Sequence, residues 1–146
     1  MIHSRATIIV NAPAASVWRV VSDYANDPRW RRGVSAMRQA SAPPVHVGAE
    51  AEEVLRMLGR TVVSRVVIES LEPDSAFQWR VDDGGAHGRR WVRAIDERSS
   101  ELGAEKYVTL ADSDRLLTPL VGAVIRRTER GDLRRAARLI EALEAG

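Results

Sequence analysis

The order of hydrophobic and polar positions predicts a strand followed by a helix at the start of the chain. Residues 2–10 are rich in β-branched side chains, which favours a strand, and Pro13 suits the first turn of a helix. From Val17 to Tyr24 apolar side chains recur at positions i, i+3, i+4 and i+7. This period predicts an amphipathic helix over residues 13–23.

The middle of the chain has the pattern of an antiparallel sheet. After the basic segment 27–33, which predicts a second short helix or a turn, no helical period continues for about 80 residues. Glycines and aspartates separate the apolar runs at hairpin spacing, as in Gly59-Arg60 and Asp83-Gly84-Gly85. Strands that follow one another without intervening helices indicate a meander rather than a parallel sheet. The strand-like segments are residues 34–40, 49–58, 60–71, 76–82, 88–97 and 101–111.

The C-terminal part of the chain returns to a helical period, with two apolar stripes. The first stripe runs from Leu117 to Thr128 and the second from Leu133 to Leu143. At 100° per residue their centres differ by about 100°, and Gly131 lies at the junction. One long helix that packs over two differently oriented surfaces, or that bends at Gly131, accounts for the offset.

Composition restricts the classes of protein that fit this pattern. A chain of 146 residues with 45% hydrophobic residues can form a substantial core, and we predict a single domain over residues 1–146. The absence of cysteine excludes disulfide frameworks, cysteine-ligated zinc and thiol nucleophiles. The N-terminus lacks a secretory signal, and the longest apolar run, residues 116–125, is about half of a membrane span. We therefore expect a cytoplasmic protein without integral membrane association.

The charge of the chain gives little indication of an acidic partner. The net charge is +2, and the isoelectric point reaches about 9.6 because Lys106 is the only lysine among 22 basic residues. The densest group of arginines, from Arg126 to Arg138, has Glu129 and Asp132 interleaved with it. This mixture favours a solvated helix face over a phosphate-binding surface. We expect no nucleic-acid partner, and a monomer or homodimer.

The N-terminal residues also carry a motif with a family resemblance. The pattern is Ile9-Val10-x-Ala12-Pro13-x-x-x-Val17-Trp18-x-x-x-Ser22-Asp23-Tyr24-x-x-x-Pro28-x-Trp30. With Val67–Phe77 as strand, proline turn and strand, and Leu116–Leu143 as closing helix, it resembles the polyketide cyclase/dehydrase-like members of the START-related superfamily, which includes the birch-pollen allergen. The resemblance implies an α+β helix-grip fold: a curved seven-stranded antiparallel sheet wrapped around a long C-terminal helix, with two short helices after the first strand.

The same resemblance implies an apolar cavity between the sheet and the C-terminal helix, where a curved sheet and a straight helix part. The first function to expect is the binding of a small hydrophobic or polycyclic ligand, such as a lipid, a polyketide or another aromatic metabolite. The alternative is a polyketide cyclase or aromatase that catalyses aldol cyclisation and dehydration, so the sequence leaves open whether the protein is an enzyme. A third possibility is an interaction module that binds a partner through the arginine-rich helix.

Aromatic and apolar side chains are the first candidates for lining such a cavity. Trp30 follows the first helices, where the family usually has a pocket-side aromatic residue. Trp79 alternates with polar residues along one strand, and Trp91 with Ile95 repeats the pattern on the next. Ordinary core packing is the other interpretation of each tryptophan. The expected ligand-binding residues are Trp30, Trp79, Trp91, Arg93, Lys106, Leu117, Val121 and Val124.

Charged residues on apolar faces are the candidates for chemistry. The period of two along a strand puts Arg93 on the face of Trp91, and Lys106 on the face of Leu102. If these faces point inward, each cation needs an anion, so both residues are candidates for holding an acidic or enolate-like group. A local bulge, or pairing with a glutamate at the rim, is the alternative.

Tyr107 and His87 complete the candidates for proton transfer. His87 lies beside the glycine-rich turn, where a solvated turn histidine is the alternative. The three histidines have no metal-binding spacing, so we expect no metal site, and without a cofactor-binding motif we expect no cofactor. The catalytic candidates are Arg93, Lys106, Tyr107 and His87.

Overall fold

Seven strands form one antiparallel sheet. The computed structural model describes residues 1–146. The strands are β1 (Ile2–Val10), β2 (Val34–Gln39), β3 (Glu50–Met57), β4 (Arg60–Glu72), β5 (Ala76–Val81), β6 (Ala86–Ala94) and β7 (Ser100–Val108). Their order in the sheet is β1-β7-β6-β5-β4-β3-β2, so consecutive strands from β2 to β7 pair as hairpins and β1 lies against β7. The predicted meander is confirmed.

Helices follow the first and last strands. Between β1 and β2 lie α1 (Ala14–Val21), a 3₁₀ turn (Tyr24–Asn26) and α2 (Asp27–Trp30); after β7 a 3₁₀ segment (Asp112–Leu117) leads into α3 (Thr118–Ala145). Prolines stand where α1 and α3 begin, because a missing N–H is harmless in a first turn. The helix α3 runs unbroken through Gly131. No helix has the length and apolar character that crossing a membrane requires.

The two halves of α3 pack differently. In its second half Leu133, Ala136 and Ile140 are buried in the main core, beneath the sheet and beside α1. In its first half Val121 and Ile125 form a separate small cluster with Ile2 of β1. The two offset stripes of the sequence therefore correspond to two packing surfaces of one helix, and the candidate site described below lies where they meet.

At this meeting point α3 places its charges differently from the sequence-based expectation. Glu129 and Asp132 are buried on the inner face, toward the sheet, and do not lie among the arginines. They follow Ile125 by four and seven residues, which is the spacing of one helical face. Glu129 and Asp132 therefore do not neutralise the positive charge of the outer face. Its exposed arginines are Arg126, Arg127, Arg130, Arg134 and Arg138.

Candidate ligand-binding site

A small inner chamber lies between α2, α3 and the inner face of the sheet. Its volume is about 40 Å³, counted as the space that the centres of water-sized groups can occupy. This is enough for a few such groups. Aromatic and ionisable side chains share its walls. They include Tyr24, Trp30, Glu53, Trp79, Lys106 and Glu129.

A wider groove lies beside the chamber, between the β2–β3 side of the sheet and the first half of α3. It measures about 300 Å³ by the same criterion. Its apolar wall is formed by Val34, Leu55, Met57, Leu58, Val124 and Ile125. Arg31, Lys106 and Asp132 line both spaces and so form the partition between them. An elongated molecule could place its apolar part in the groove and its end group against this polar partition.

One side of the chamber is a buried network of ion pairs. The carboxylate of Asp27 in α2 accepts hydrogen bonds from Arg90 of β6 at 2.9 and 3.1 Å and from Arg31 at 3.1 Å. Arg31 also donates to Glu53 of β3 at 2.7 Å. Burial alone would raise the pKa of the Glu53 carboxyl, but the charge and hydrogen bond of Arg31, assisted by Lys106 and Arg90, hold that pKa below its ordinary value. Glu53 is therefore an anion at neutral pH.

Trp30 joins this network to α3. Its ring lies against the Arg90 guanidinium, with 4.8 Å between the guanidinium carbon and the ring centroid. Its carbonyl accepts a hydrogen bond from Nε of Arg135 at 3.1 Å, and Arg135 also pairs with Asp132. The indole N–H, in contrast, is buried without a hydrogen-bond partner. Trp30 is thus fixed by its backbone and ring and keeps a free donor.

Glu129 and Lys106 face each other across the chamber. Ser4 of β1 donates its hydroxyl hydrogen to Oε2 of Glu129. The other oxygen, Oε1, lies 4.0 Å from the Lys106 ammonium nitrogen and is buried without a hydrogen-bond partner. Burial lowers the pKa of Lys106, the charge of Arg31 lowers it further, and the nearby carboxylates of Glu129 and Glu53 only partly offset this. The pair therefore combines an open acceptor with an amine that loses its proton more readily than a solvated lysine.

The inward orientation expected for Arg93 and Trp91 is wrong. In β6 the inner face carries Arg90 and Val92, which are buried, whereas Arg93 is 65% exposed and pairs with Glu101 at 3.2 Å. Trp91 lies on the outer face and covers Gly103 of β7, where a side chain would overlap the indole ring. Large side chains on both faces of β6 are thus buried. The presence of a large apolar residue such as Trp91 therefore does not reveal which face is the inner one.

Tyr107 and His87 also lie outside the chamber. Tyr107 is on the outer face of β7, stacked between the rings of His3 at 4.5 Å and His87 at 5.0 Å. His3 in turn shares a hydrogen bond of 2.8 Å with Glu105. This follows from the same alternation that turns Lys106 inward, because adjacent residues of a strand point to opposite faces. Neither residue can transfer a proton in the chamber from this position.

The remaining candidates divide between the two spaces and the surface. Trp79 lines the chamber and Val124 lines the groove. Val121 is buried in the small cluster with Ile2, and it lines neither space. Leu117 lies in the 3₁₀ segment before α3 and is partly exposed. The structure therefore brings Trp30, Trp79, Lys106 and Val124 together around one site and leaves the others outside it.

Most charged residues of the site were not among the sequence-based candidates. Glu129 and Asp132 could have been found from their position on the buried stripe of α3, between Ile125 and Leu133. For Arg90 the only sequence signal of an inward position was that it lies two residues from the apolar Val92, on the same face of β6. No group of three or more histidine, aspartate or glutamate side chains is arranged to hold a metal ion.

A curved antiparallel sheet that closes on a long C-terminal helix, with a lined space between them, defines the class of helix-grip proteins. The chain matches the family described as "Polyketide cyclase / dehydrase and lipid transport" over residues 1–142. It belongs to this family, and the resemblance inferred from the N-terminal motif is confirmed. Among curated proteins, none matches the chain.

Solved structures of similar fold include an aromatase/cyclase and a START superfamily protein. The Zhui aromatase/cyclase from Streptomyces sp. R1128 has a TM-score of 0.77 at 17% identity, with 95% of this chain and 93% of that chain covered. A START superfamily protein from Mycobacterium smegmatis has a TM-score of 0.71 at 16% identity, with 98% and 99% covered. The protein TTHA0849 from Thermus thermophilus has a TM-score of 0.78 at 16% identity, with 97% and 98% covered. At these identities the likeness establishes the fold.

Proposed function

We propose that this protein binds a small, mainly hydrophobic molecule whose apolar body lies in the groove and whose polar end meets the chamber. The observation that carries the proposal is the partition itself: Arg31, Lys106 and Asp132 separate an apolar groove of about 300 Å³ from a small polar chamber. Such a combination of apolar walls and a few convergent polar groups is typical of small-molecule sites. The family's description and its structural relatives support the same function.

Occupation of the groove can be tested by filling it. Val124→Trp places a large ring in the groove, whereas Ala123→Trp adds the same ring to the exposed neighbouring position of α3. We expect the native protein and the Ala123→Trp variant to bind an environment-sensitive naphthalene fluorophore and Val124→Trp to lose that binding. Native mass spectrometry of the purified protein should also detect a retained hydrophobic compound. Equal fluorophore binding by both variants would place the ligand elsewhere.

The Lys106–Glu129 pair favours a second candidate function, cyclisation of a poly-β-ketone. In the aldol step Glu129 would take a proton from the carbon next to a ketone, the resulting enolate would form a carbon–carbon bond to a second carbonyl carbon, and the Lys106 ammonium would protonate the carbonyl oxygen. In the dehydration step the neutral Lys106 amine would take the second α-proton, and Glu129 would return its proton to the leaving hydroxyl. One water leaves, and both groups regain their starting protonation states.

The cyclase candidate is separable from simple binding. If it is correct, Lys106→Met and Glu129→Gln should each abolish conversion of a poly-β-ketone thioester analogue to its aromatic product. Exchange of Tyr107→Phe on the outer face serves as the matched control and should leave conversion unchanged. Absence of conversion by the native protein, with fluorophore binding intact, would leave ligand binding as the function.

The expected single domain, the cytoplasmic location, the oligomeric state and the absence of a nucleic-acid partner stay predictions of the sequence.

A further inference from the structure

Two residues that line the chamber each have a buried polar atom without a hydrogen-bond partner. These atoms are the indole nitrogen of Trp30, whose residue is 2% exposed, and Oε1 of Glu129, whose residue is 3% exposed. Every other buried side-chain nitrogen or oxygen of the protein has a partner. Buried polar atoms are ordinarily satisfied, so a donor and an acceptor left open in one chamber indicate a group that both of them recognise.

The charges around the chamber are already balanced. Each buried carboxylate has its own basic partner: Asp27 pairs with Arg90, Glu53 with Arg31, Glu129 with Lys106 and Asp132 with Arg135. Arg89, the other arginine of the lining, lies against Trp91 on the outer face. An anionic head group would therefore add a negative charge with no unpaired cation facing it in the chamber, and burial of an unpaired charge is strongly unfavourable. The acidic group expected from the sequence therefore does not fit the electrostatics of this chamber, whereas an enolate formed by proton transfer to Glu129 would leave the net charge unchanged.

We propose that the chamber selects a neutral head group with a hydroxyl, as in an alcohol or a phenol. A hydroxyl is both a donor and an acceptor, so one oxygen can donate its hydrogen to Oε1 of Glu129 and accept the indole hydrogen of Trp30. The proposal names the ligand class for the site and rests on the proposed function, because the groove must hold the rest of the molecule.

The dimensions of the site agree with a small head and a larger tail. About 40 Å³ accommodates a hydroxyl and not a whole ring system, whereas the groove of about 300 Å³ has room for an alkyl chain or a ring. The head must pass the partition, in which Lys106 is the flexible member. Its ammonium is 4.0 Å from Glu129, too far for a hydrogen bond, so its movement breaks no short contact there.

Three matched ligands test this selection on the native protein. They are 4-hexylphenol, its methyl ether 4-hexylanisole, and 4-hexylbenzoate, and their affinities are measured by displacement of the naphthalene fluorophore. The ether retains the acceptor and lacks the donor, so we expect it to bind about tenfold or more weakly than the phenol. The benzoate should also bind more weakly than the phenol because of its charge. Equal affinities of phenol and ether, or tightest binding of the benzoate, would overturn the proposal.

Variants locate the effect at the two open atoms. Trp30→Phe removes the indole donor and keeps an aromatic ring, and it should reduce phenol affinity severalfold. Trp91→Phe makes the same change on the outer face and should leave all three affinities unchanged. Unaltered phenol binding in Trp30→Phe would contradict the assigned donor. Displacement by none of the ligands would instead count against the proposed groove, so failure of the two proposals can be distinguished.

Discussion

Arg90 and Asp27 form a buried, two-point ion pair that joins β6 to α2. Asp27 is 0% exposed and Arg90 is 5% exposed, and two guanidinium nitrogens meet the two carboxylate oxygens at 2.9 and 3.1 Å. The same Arg90 donates to the Val21 carbonyl at 2.8 Å and lies against the rings of Trp30 and Phe77. A single arginine thus fixes the end of α1, the position of α2 and one side of the chamber.

This pair predicts a large loss of stability when one partner is removed. Arg90→Met leaves the Asp27 carboxylate buried with Arg31 as its only charged partner. Breaking a buried pair in this way costs about 3 to 5 kcal/mol. Urea unfolding at pH 7 measures the loss.

Arg93→Met on the same strand is the matched control for that experiment. Its pair with Glu101 is exposed to solvent, so we expect a change of less than about 1 kcal/mol in the free energy of unfolding. Similar losses of stability for the two variants would contradict the assignment of Arg90 to a buried ion pair and of Arg93 to an exposed one.

Glu53 predicts a specific loss of stability in acid. Its pKa in the folded protein lies below the ordinary value of 4.5, so the carboxylate contributes stability that is present above pH 4.5 and lost as the pH falls through the lower folded value. Glu53→Gln removes this contribution. The difference in unfolding free energy between the native protein and the variant should therefore be large at pH 7 and shrink below pH 4.5.

The neighbouring Glu52→Gln provides the comparison, because Glu52 lies at the surface in an exposed pair with Arg38. Its effect should be small at both pH values. A Glu53→Gln effect that stays constant from pH 7 to pH 3 would contradict the depressed pKa.

We expect alanine substitutions at two glycines to change the stability of the protein in opposite directions. A methyl group at Gly103 would overlap the indole ring of Trp91, so Gly103→Ala should destabilise the protein by about 1 to 3 kcal/mol and alter its near-ultraviolet circular dichroism. A methyl group at Gly131 would meet the flexible Arg135 guanidinium at an ordinary 3.5 Å. Gly131→Ala should stabilise the helix by about 0.5 to 1 kcal/mol, measured by thermal unfolding. A destabilising Gly131→Ala would indicate that α3 needs a bend there.

We expect Leu58 to lower the stability of the protein while it contributes to ligand binding in the groove. It lies with Gly59 in the β3–β4 turn, at φ values of 51° and 75°, a conformation that costs a leucine about 1 to 2 kcal/mol. The same side chain is half exposed and lines the groove. Leu58→Asn should therefore raise the free energy of unfolding by about 1 kcal/mol and weaken fluorophore binding. An unchanged stability would show that the turn relaxes around the leucine.

The periods of the sequence were sufficient for the fold but ambiguous for the site. The alternation along β7 puts Lys106 on the face of Leu102 and Ala104, and the structure turns that face inward, so that Lys106 lines the chamber. In β6 the same rule gave the wrong face, because Trp91 and Val92 are both buried. In α3 the mixture of acids and arginines predicts an exposed face for Glu129, and this prediction is wrong, because Glu129 is buried on the inner stripe, four residues after Ile125. Chemistry and period disagreed there, and period was the better guide.

The sequence by itself determined the family and the order of the strands and helices. These depend on local periods, turn residues and a motif, all of which are read along the chain. Tertiary structure alone decided that Arg90 meets Asp27, that Arg31 bridges to Glu53, and that Trp30 and Glu129 keep open hydrogen-bonding atoms in one chamber. The physical reason is that burial of a charge is tolerable only beside its partner, and here the partners come from different strands and helices.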